Sequence, residues 1–306
     1  MSFHLVPRSL QYFEQVAQLG SIQAASRETG ISASAIHRQI TTIEDALGET
    51  LFDRDAKGMT LTPSGRLILD IARNWRLDSA KLLSIIQDNR GIEQGHIRIA
   101  AMDGMVNGLV LEMVNEIAQR FPNVQAEIEI VSPDGAVKSV LNGDFDFAIV
   151  ANAAPHDNLE FHWSREFQLG CIAAPDHPVA GKKTISLKEF ISHPVAFQGP
   201  SLSIRKLLEV RHGWIFESAT NSVVVSSVQL MKLLAASGQF IAVTSELDAG
   251  PELESGRLKF IPISDKDIFK QSISVISNAQ ISASRLCQNV IEMAVLNLNR
   301  LTSSDK

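Results

Sequence analysis

The 306-residue chain has two cysteines and no long apolar run, and each scarcity excludes a class of protein. Cys171 and Cys287 lie far apart, which excludes a disulfide scaffold and is typical of a reducing compartment. No stretch approaches the roughly 18 uncharged apolar residues of a transmembrane helix, so we expect no membrane partner. The N-terminus lacks a basic segment followed by an apolar run, so we predict no secretory signal and a cytoplasmic location.

The composition is that of an ordinary globular protein. Hydrophobic residues make up 45% and charged residues 20% of the chain, which excludes a mainly disordered chain. At about 150 residues per domain, this length predicts two domains, of which the larger can divide again. The first ninety residues hold equal numbers of acidic and basic side chains, so the net charge of −6 belongs to the remainder. Charge alone neither requires nor excludes a DNA partner.

Short helices with glycine joints are predicted near the N-terminus. The second spans Ile22–Thr29 and ends at Gly30, and the third spans Ala33–Leu47. The third helix has one narrow apolar stripe, formed by Ile36, Ile40, Ile43 and Leu47. Small polar residues and one arginine lie roughly opposite, namely Ser34, Arg38, Thr41 and Asp45. A DNA major groove admits such a helix surface, although a solvated polar face has the same pattern.

Two short strands around a basic, glycine-containing turn follow the third helix. A helix, a tight joint, a polar-faced helix and this hairpin together predict a winged helix-turn-helix. Arg54 and Lys57 in the hairpin could hold DNA phosphates beside the groove. The alternative is that they are solvated charges, balanced by the neighbouring aspartates.

A long helix is predicted from Thr62-Pro63 to about Arg90, because Thr is a good N-cap and no later Gly or Pro interrupts it. It carries an apolar seam of Ile68, Ile71, Trp75, Leu82, Ile85 and Ile86. A seam on a lone helix needs a partner, which is either a second copy or the helix's own domain.

Residues 91–306 alternate strand-like and helix-like segments after a hinge at Gly91 and Gly95. This order predicts parallel sheets with helices on both faces, arranged as two small α/β lobes. Within this region we predict one helix over Val106–Phe121 and a strand over Trp214–Ala219.

Three loops in this region are candidates for ligand binding, because open α/β sheets bind ligands at the carboxyl ends of their strands. Their candidate residues are Met102, Asp103, Gly104, Ser132, Gln198, Pro200 and Ser201. Ordinary loop and capping chemistry is the alternative for each loop.

The stretch Leu10–Leu67 resembles the winged helix-turn-helix of LysR-type transcriptional regulators. The matching residues are Phe13, Gly20-Ser21, Ala25, Gly30, Ser32, Arg38-Gln39-Ile40, Glu44, Leu47-Gly48, Leu51-Phe52, Arg54, Leu61-Thr62 and Gly65. Ala33 and His37 depart from the family at positions where it touches DNA, so the base preference is expected to be unusual. A looser resemblance continues at Gly143–Ile149 and Ala174–Pro178.

The resemblance implies a fold and a domain organisation. Residues 1–65 would form an N-terminal all-α winged helix-turn-helix, and residues 66–90 a linker and dimerisation helix. Residues 91–306 would form a C-terminal α/β, periplasmic-binding-protein-like effector domain of two lobes. Lobe one would comprise about 91–162 and 268–306, and lobe two about 163–267.

The resemblance also implies partners and site residues. The DNA-binding residues would be Ser32, Ala33, Ser34, His37, Arg38, Thr41, Arg54, Lys57 and Thr62. A dimer formed through the linker helix would bind an interrupted inverted repeat of double-stranded DNA, and tetramers are common in the family. The cleft between the lobes would bind a small-molecule effector, with Asn152 added to the loop residues above. Asp103 would repel a carboxylate effector unless it faces away.

The sequence therefore predicts a DNA-binding transcriptional regulator controlled by a small effector. A solute-binding or transport-associated module is the alternative, but it would leave the first ninety residues without a role. No P-loop, Gly-x-Ser-x-Gly or metal-ligand spacing is present, so we expect no enzyme, cofactor or metal.

Overall fold

The computed structural model describes residues 7–55, 58–88 and 95–303, without the side chains of residues 54–55, 80–81, 83–85, 87–88 and 303. The chain divides into two compact units, Met1–Ile85 and Ile86–Lys306. Lys57, Arg90, Gly91 and the side chain of Arg54 lie outside the described residues.

The first unit is a three-helix cluster followed by a hairpin and a long helix. Its elements are α1 Arg8–Leu19, α2 Ile22–Thr29, α3 Ala33–Leu47, β1 Phe52–Asp55, β2 Gly58–Leu61 and α4 Pro63–Asp88. Its core contains Phe13, Val16, Ile36, Ile40 and Leu51. The predicted bounds of α2 and α3 are confirmed, because their serine N-caps and glycine ends are local signals.

The hairpin packs directly against the joint between α1 and α2. The backbone N–H of Met59 donates to the carbonyl of Gly20 at 2.9 Å. Gly58 has a φ of 131°, and a Cβ there would lie 2.7 Å from the same carbonyl oxygen. Only glycine allows this approach, so the antiparallel hairpin β1–β2 is held beside the helices.

The first half of α4 belongs to the first unit rather than to a separate linker domain. Ala72 and Leu77 are buried, and Ile68 packs against the core of the unit. Arg76 also forms an ion pair with Glu14 of α1 at 3.4 Å. The predicted boundary at residue 65 therefore divides a helix that the fold keeps in one piece.

The second unit contains ten strands and eight α-helices among its described residues. The strands are β3 Gly95–Ala101, β4 Val124–Ile130, β5 Phe147–Ala151, β6 Leu159–Phe167, β7 Leu169–Ala173, β8 Val195–Gln198, β9 Ser222–Val225, β10 Ile241–Ser245, β11 Lys259–Pro262 and β12 Gln271–Asn278. The helices are α5 Leu111–Arg120, α6 Pro133–Leu141, α7 Leu187–Phe190, α8 Ser203–His212, α9 Trp214–Ser218, α10 Val228–Ala236, α11 Glu246–Glu254 and α12 Arg285–Ser303.

Two five-stranded sheets define the two lobes. The sheet of lobe one has the order β4-β3-β5-β12-β6, and that of lobe two has the order β11-β7-β10-β8-β9. The predicted parallel arrangement holds for β3 with β4 and β5, and for β8 with β9 and β10. The other neighbours are antiparallel, so both sheets are mixed.

The chain crosses from lobe one to lobe two later than the predicted residue 162. Strand β6 continues its pairing with β12 as far as Phe167, opposite Gln271. Long-range pairing of this kind cannot be read from the local sequence pattern, which placed the boundary after residue 162.

Two predicted elements are wrong in this unit. Trp214–Ser218 is helical rather than extended, since a short apolar run with one buried residue, Ile215, has no decisive periodicity. Val106–Phe121 is not one helix, because Asn107 and Gly108 leave helical geometry before α5 begins at Leu111.

Candidate functional site

The N-terminal half of α3 presents polar side chains to solvent. Ser32, Ser34, His37 and Arg38 are exposed, whereas Ala33 and Thr41 are half-buried. The Ser32 hydroxyl accepts the backbone N–H of Ala35 at 3.4 Å and so caps the helix. His37 Nδ1 lies 3.4 Å from Thr41 Oγ1. The structure thus brings the six predicted α3 residues to one end of the helix.

A groove of about 480 Å³ lies next to this end of α3. Ala33, Ser34 and His37 line it together with Gly20–Gln23 and the hairpin residues Gly58 and Met59. Helix α2 begins in the groove, where its cap, Ser21, accepts the N–H of Ala24 at 3.4 Å. A helix N-terminus with hydroxyl groups favours phosphate oxygens. Sequence reasoning identified the cap but did not assign Ser21 or Gln23 to the site.

Thr62 does not fit its predicted role as a DNA contact. Its side chain is buried, and its hydroxyl donates to the carbonyl of Thr50 at 2.8 Å. The same oxygen accepts the N–H of Gly65 at 2.9 Å, as an N-cap of α4 does. Both bonding directions are used inside the unit, so the hydroxyl is not available to a phosphate. The predicted contacts of Arg54 and Lys57 fall outside what the structure describes.

A second concavity lies between the two lobes of the second unit, with a volume of about 190 Å³. Six of the predicted residues line it, namely Met102, Asp103, Gly104, Ser132, Gln198 and Ser201. Residues from both sheets contribute, including four that were not predicted: Ser226, Val228, Asp248 and Gln271. We call this concavity the cleft.

Asn152 and Pro200 are not among the residues that line the cleft. Asn152 has a φ of 53°, and its Oδ1 accepts the backbone N–H of Ser272 at 3.0 Å. Its side chain therefore ties the end of β5 to β12. Pro200 is exposed in the turn before α8. Pro200 was predicted from its place in a loop and Asn152 from the family resemblance, and neither settles the direction of a side chain.

Asp103 connects the two lobes. Its Oδ2 accepts the Ser227 hydroxyl at 2.9 Å and the backbone N–H of Gln229 at 3.1 Å. The Gln229 amide also donates to the Asp103 carbonyl at 2.8 Å. Ser227 and Gln229 form the N-terminus of α10, which favours a negative charge. Asp103 neither faces away from the cleft nor stands free in it.

Asp248 lies behind Gly104 at the inner wall of the cleft. A Cβ on residue 104 would overlap Asp248 Oδ1, so only glycine leaves room for this carboxylate. Burial raises the pKa of Asp248 from 3.8 to about 6, opposed by the Lys232 charge and by hydrogen bonds from Ser245 and Thr244. Lys232 Nζ donates to the Asp248 carbonyl at 2.9 Å and to Glu252 Oε2 at 3.0 Å.

Two glutamine side chains in the cleft have polar atoms without a hydrogen-bond partner. Gln198, at the end of β8, lacks a partner for both Nε2 and Oε1. Gln271, at the start of β12, donates from Nε2 to Ser203 Oγ at 2.9 Å, and its Oε1 has no partner. Buried polar atoms are otherwise almost always paired, so these atoms are candidates for hydrogen bonds to a ligand.

The two cysteines do not belong to either site. Cys171 is buried in the core of lobe two and Cys287 in that of lobe one. Burial raises the pKa of the Cys171 thiol to about 12 and also raises the pKa of Cys287. Thiolate chemistry is therefore disfavoured at both, as expected for core residues.

The described part of the chain has neither a metal-binding cluster nor a membrane-spanning helix. It contains no group of three or more His, Cys, Asp or Glu side chains placed to hold a metal ion. No described helix combines the length and apolar character needed to cross a membrane.

A winged helix-turn-helix in the same chain as a two-lobed cleft defines a class, the ligand-responsive DNA-binding regulators. Comparison with known families agrees with this class. Residues 7–66 match the model of the bacterial regulatory helix-turn-helix proteins of the lysR family, and residues 90–297 match the LysR substrate binding domain. The chain belongs to the LysR family. It is a DNA-binding transcriptional regulator with a substrate-binding domain, and the matched families are regulators rather than enzymes.

Individual relatives are distant. The RuBisCO operon transcriptional regulator of Allochromatium vinosum is 25% identical over 264 residues, covering 83% of this chain and 84% of the relative. A full-length OxyR from Pseudomonas aeruginosa has a TM-score of 0.57 at 16% identity, with 97% and 96% of the two chains covered. CbnR in complex with its target DNA has a TM-score of 0.53 at 18% identity, with 96% and 99% covered. These structures support the fold, and the helix-turn-helix match leaves a pure solute-binding module without support.

Proposed function

We propose that this protein acts in the cytoplasm as a dimer, or a pair of dimers, that reads an interrupted inverted repeat of DNA. Its activity would change when a small molecule binds in the cleft. The observation that carries the proposal is the pairing of an exposed polar helix end with a buried, incompletely bonded cleft in one chain.

The DNA contacts would come from the N-terminal end of α3. Arg38 is exposed and long enough to reach a guanine edge, while Ser32, Ser34 and His37 can reach nearby bases or phosphates. Ala33 and Thr41 flank them on the same surface. The α2 cap, Ser21, would hold a phosphate beside the groove, which adds a residue to the predicted set.

The dimer would form along α4, which exposes a run of large apolar side chains. Leu67, Ile71, Trp75, Leu82 and Ile86 are each between 39% and 66% exposed. Their spacing of four, four, seven and four residues places them on one face of the helix. In an isolated chain this face is exposed to water, whereas a second copy would cover it. The resulting dimer would place one α3 helix on each half-site of the DNA.

The relatives are consistent with such an assembly on DNA. CbnR has been solved with its target DNA, and the Allochromatium relative carries the name of an operon regulator. From these relatives we carry over regulation of transcription through DNA binding, and not the identity of the operon. No cofactor is part of the proposal.

The proposal is tested by binding to the intergenic DNA beside the protein's own gene, compared with a random duplex at one stated salt concentration. We expect the intergenic DNA to bind more tightly by at least about 4 kcal/mol. Equal, weak and salt-sensitive binding to both duplexes would contradict specific recognition there.

A further inference from the structure

Most of the buried, unpaired polar atoms at the cleft are hydrogen-bond acceptors. Its partnerless acceptors are Gln198 Oε1, Gln271 Oε1 and Asp248 Oδ1, and its partnerless donor is Gln198 Nε2. Gln198, Gln271 and Asp248 are only 5%, 1% and 3% exposed, so bulk solvent hydrates their side chains little. A ligand that completes this bonding must bring several N–H or O–H groups and at least one acceptor.

The cleft also carries negative rather than positive charge. Asp103 and Asp248 line it, and none of its described lining residues is a Lys, Arg or His. Two lysines on helices that border the cleft are already paired with carboxylates of the protein. Lys206 Nζ lies 2.6 Å from Asp134 Oδ2, and Lys232 Nζ lies 3.0 Å from Glu252 Oε2. An anionic ligand would meet repulsion without a free counter-charge.

The protein's own carboxylate already takes the anion position at one helix N-terminus of the cleft. Asp103 Oδ2 receives the N–H of Gln229 and the hydroxyl of Ser227, which are the groups that helix α10 would offer to an anion. A carboxylate ligand would have to displace Asp103 to use them.

We propose that the effector is an uncharged molecule with an amide-like edge, in which N–H donors lie beside a C=O acceptor, as in primary amides, lactams and nucleobases. The inference rests on the proposed function, because it takes the cleft to be the effector site. Gln198 is the specificity residue, since its amide pairs with such an edge through two parallel hydrogen bonds. Gln271 Oε1 and Asp248 Oδ1 accept from the remaining donors.

The first test needs no ligand. Methionine has nearly the length of glutamine and no amide, so Gln198→Met removes two buried polar atoms that lack partners. We expect the Tm of the ligand-free protein to rise by about 2–6 °C, while the matched Gln119→Met on the exposed face of α5 leaves it unchanged. A fall in Tm for Gln198→Met alone would overturn the inference, because the amide would then be engaged within the protein.

The second test compares probes of matched shape on the full chain. Nicotinamide and isobutyramide represent the proposed edge, and nicotinate and isobutyrate are their carboxylate counterparts. At millimolar concentration we expect at least one neutral probe to raise Tm and to bind at least about 10-fold more weakly to Gln198→Met. The carboxylates should leave Tm unchanged.

Two other outcomes overturn the inference in different ways. A carboxylate that stabilises the protein through Gln198, with no effect of its neutral counterpart, would keep the cleft as the effector site and overturn the ligand class. Probes without effect, or with equal effect on Gln198→Met, would overturn the ligand class and remove the support for the cleft as the effector site. Operator binding measured on the same samples reports separately on the regulator itself.

Discussion

The polar residues of the two units lie in opposite environments. On α3, Ser34, His37 and Arg38 are exposed, and Ser34 and His37 lie beside the hydroxyls of Ser32 and Thr41. In the cleft, Gln198 and Gln271 are buried and lack partners for some of their atoms. An exposed polar face is open to a partner of any size, such as a DNA duplex. A buried polar group with unpaired atoms can bond only to a molecule small enough to enter the cleft.

The difference also separates stability from function. Exposed residues of α3 cost the fold little, so their substitution should change affinity for DNA and leave folding intact. Buried groups of the cleft lower the stability of the ligand-free protein, so their substitution should stabilise the fold. Four substitutions test this contrast, beginning with the largest expected effect.

Ile71→Glu on the exposed seam of α4 should weaken operator binding by at least about 100-fold, because a charge on this face opposes dimerisation and removes the second half-site. Sedimentation velocity and a gel-shift titration would measure the two effects. Arg73→Glu places a glutamate at an exposed position on the opposite side of α4, and should remain dimeric. A dimeric Ile71→Glu protein would contradict the proposed interface.

Asp248→Asn should change how stability depends on pH. Because the folded-state pKa is about 6 and the ordinary value 3.8, the folded protein binds a proton more readily than the unfolded chain. The contribution of Asp248 to the free energy of unfolding is fully present below about pH 4. It is lost as the pH rises through about 6. The variant avoids this loss and should be more stable at pH 7, by up to about 3 kcal/mol in urea unfolding.

The control for this prediction is Asp157→Asn, which changes an exposed aspartate in the same unit and should follow the wild-type profile. If Asp248→Asn also follows that profile between pH 4 and 7, burial of the carboxylate does not limit stability.

Arg38→Ala should weaken operator binding by about 1–3 kcal/mol if the guanidinium reads a base. Binding to a random duplex should fall less, so the specificity ratio should drop in the same titration. Arg73→Ala on the exposed surface of α4 is the matched loss of one positive charge and should preserve the ratio. A preserved ratio in Arg38→Ala would remove Arg38 from the base contacts.

Thr62→Val should lower the stability of the first unit by about 1 kcal/mol and leave the DNA affinity of the folded protein unchanged, because its hydroxyl caps α4 inside the unit. Thr62→Ser keeps the hydroxyl and should recover most of the stability in thermal unfolding. A specific loss of DNA affinity in Thr62→Val without a loss of stability would restore the original prediction of a phosphate contact.

Sequence reasoning succeeded where the signals were local. The bounds of α2 and α3 follow from serine caps and glycine ends a few residues apart. The exposed seam of α4 follows from helical spacing, although Ile68 turned inward and Leu67 took its place on the outer face. Loops at strand ends located six of the residues that line the cleft, because parallel strands bring their carboxyl ends together.

Sequence reasoning failed where a role depended on a distant segment. Asp248 and Gln271 reach the cleft from far along the chain, and neither lies in a loop motif that would single it out. Thr62 and Asn152 are polar loop residues whose bonds are used inside the fold.

The sequence by itself determined the helix-turn-helix, the long seam-bearing helix and the succession of strands and helices in two lobes. Helix caps, glycines and apolar periodicity act over a few neighbouring residues, so the local sequence specifies these elements. Only the tertiary structure decided that Asp103 bonds to helix α10 and that the amide of Gln198 lies buried without a partner. Whether a polar atom is paired depends on every segment that packs around it, and those segments are brought together only by folding.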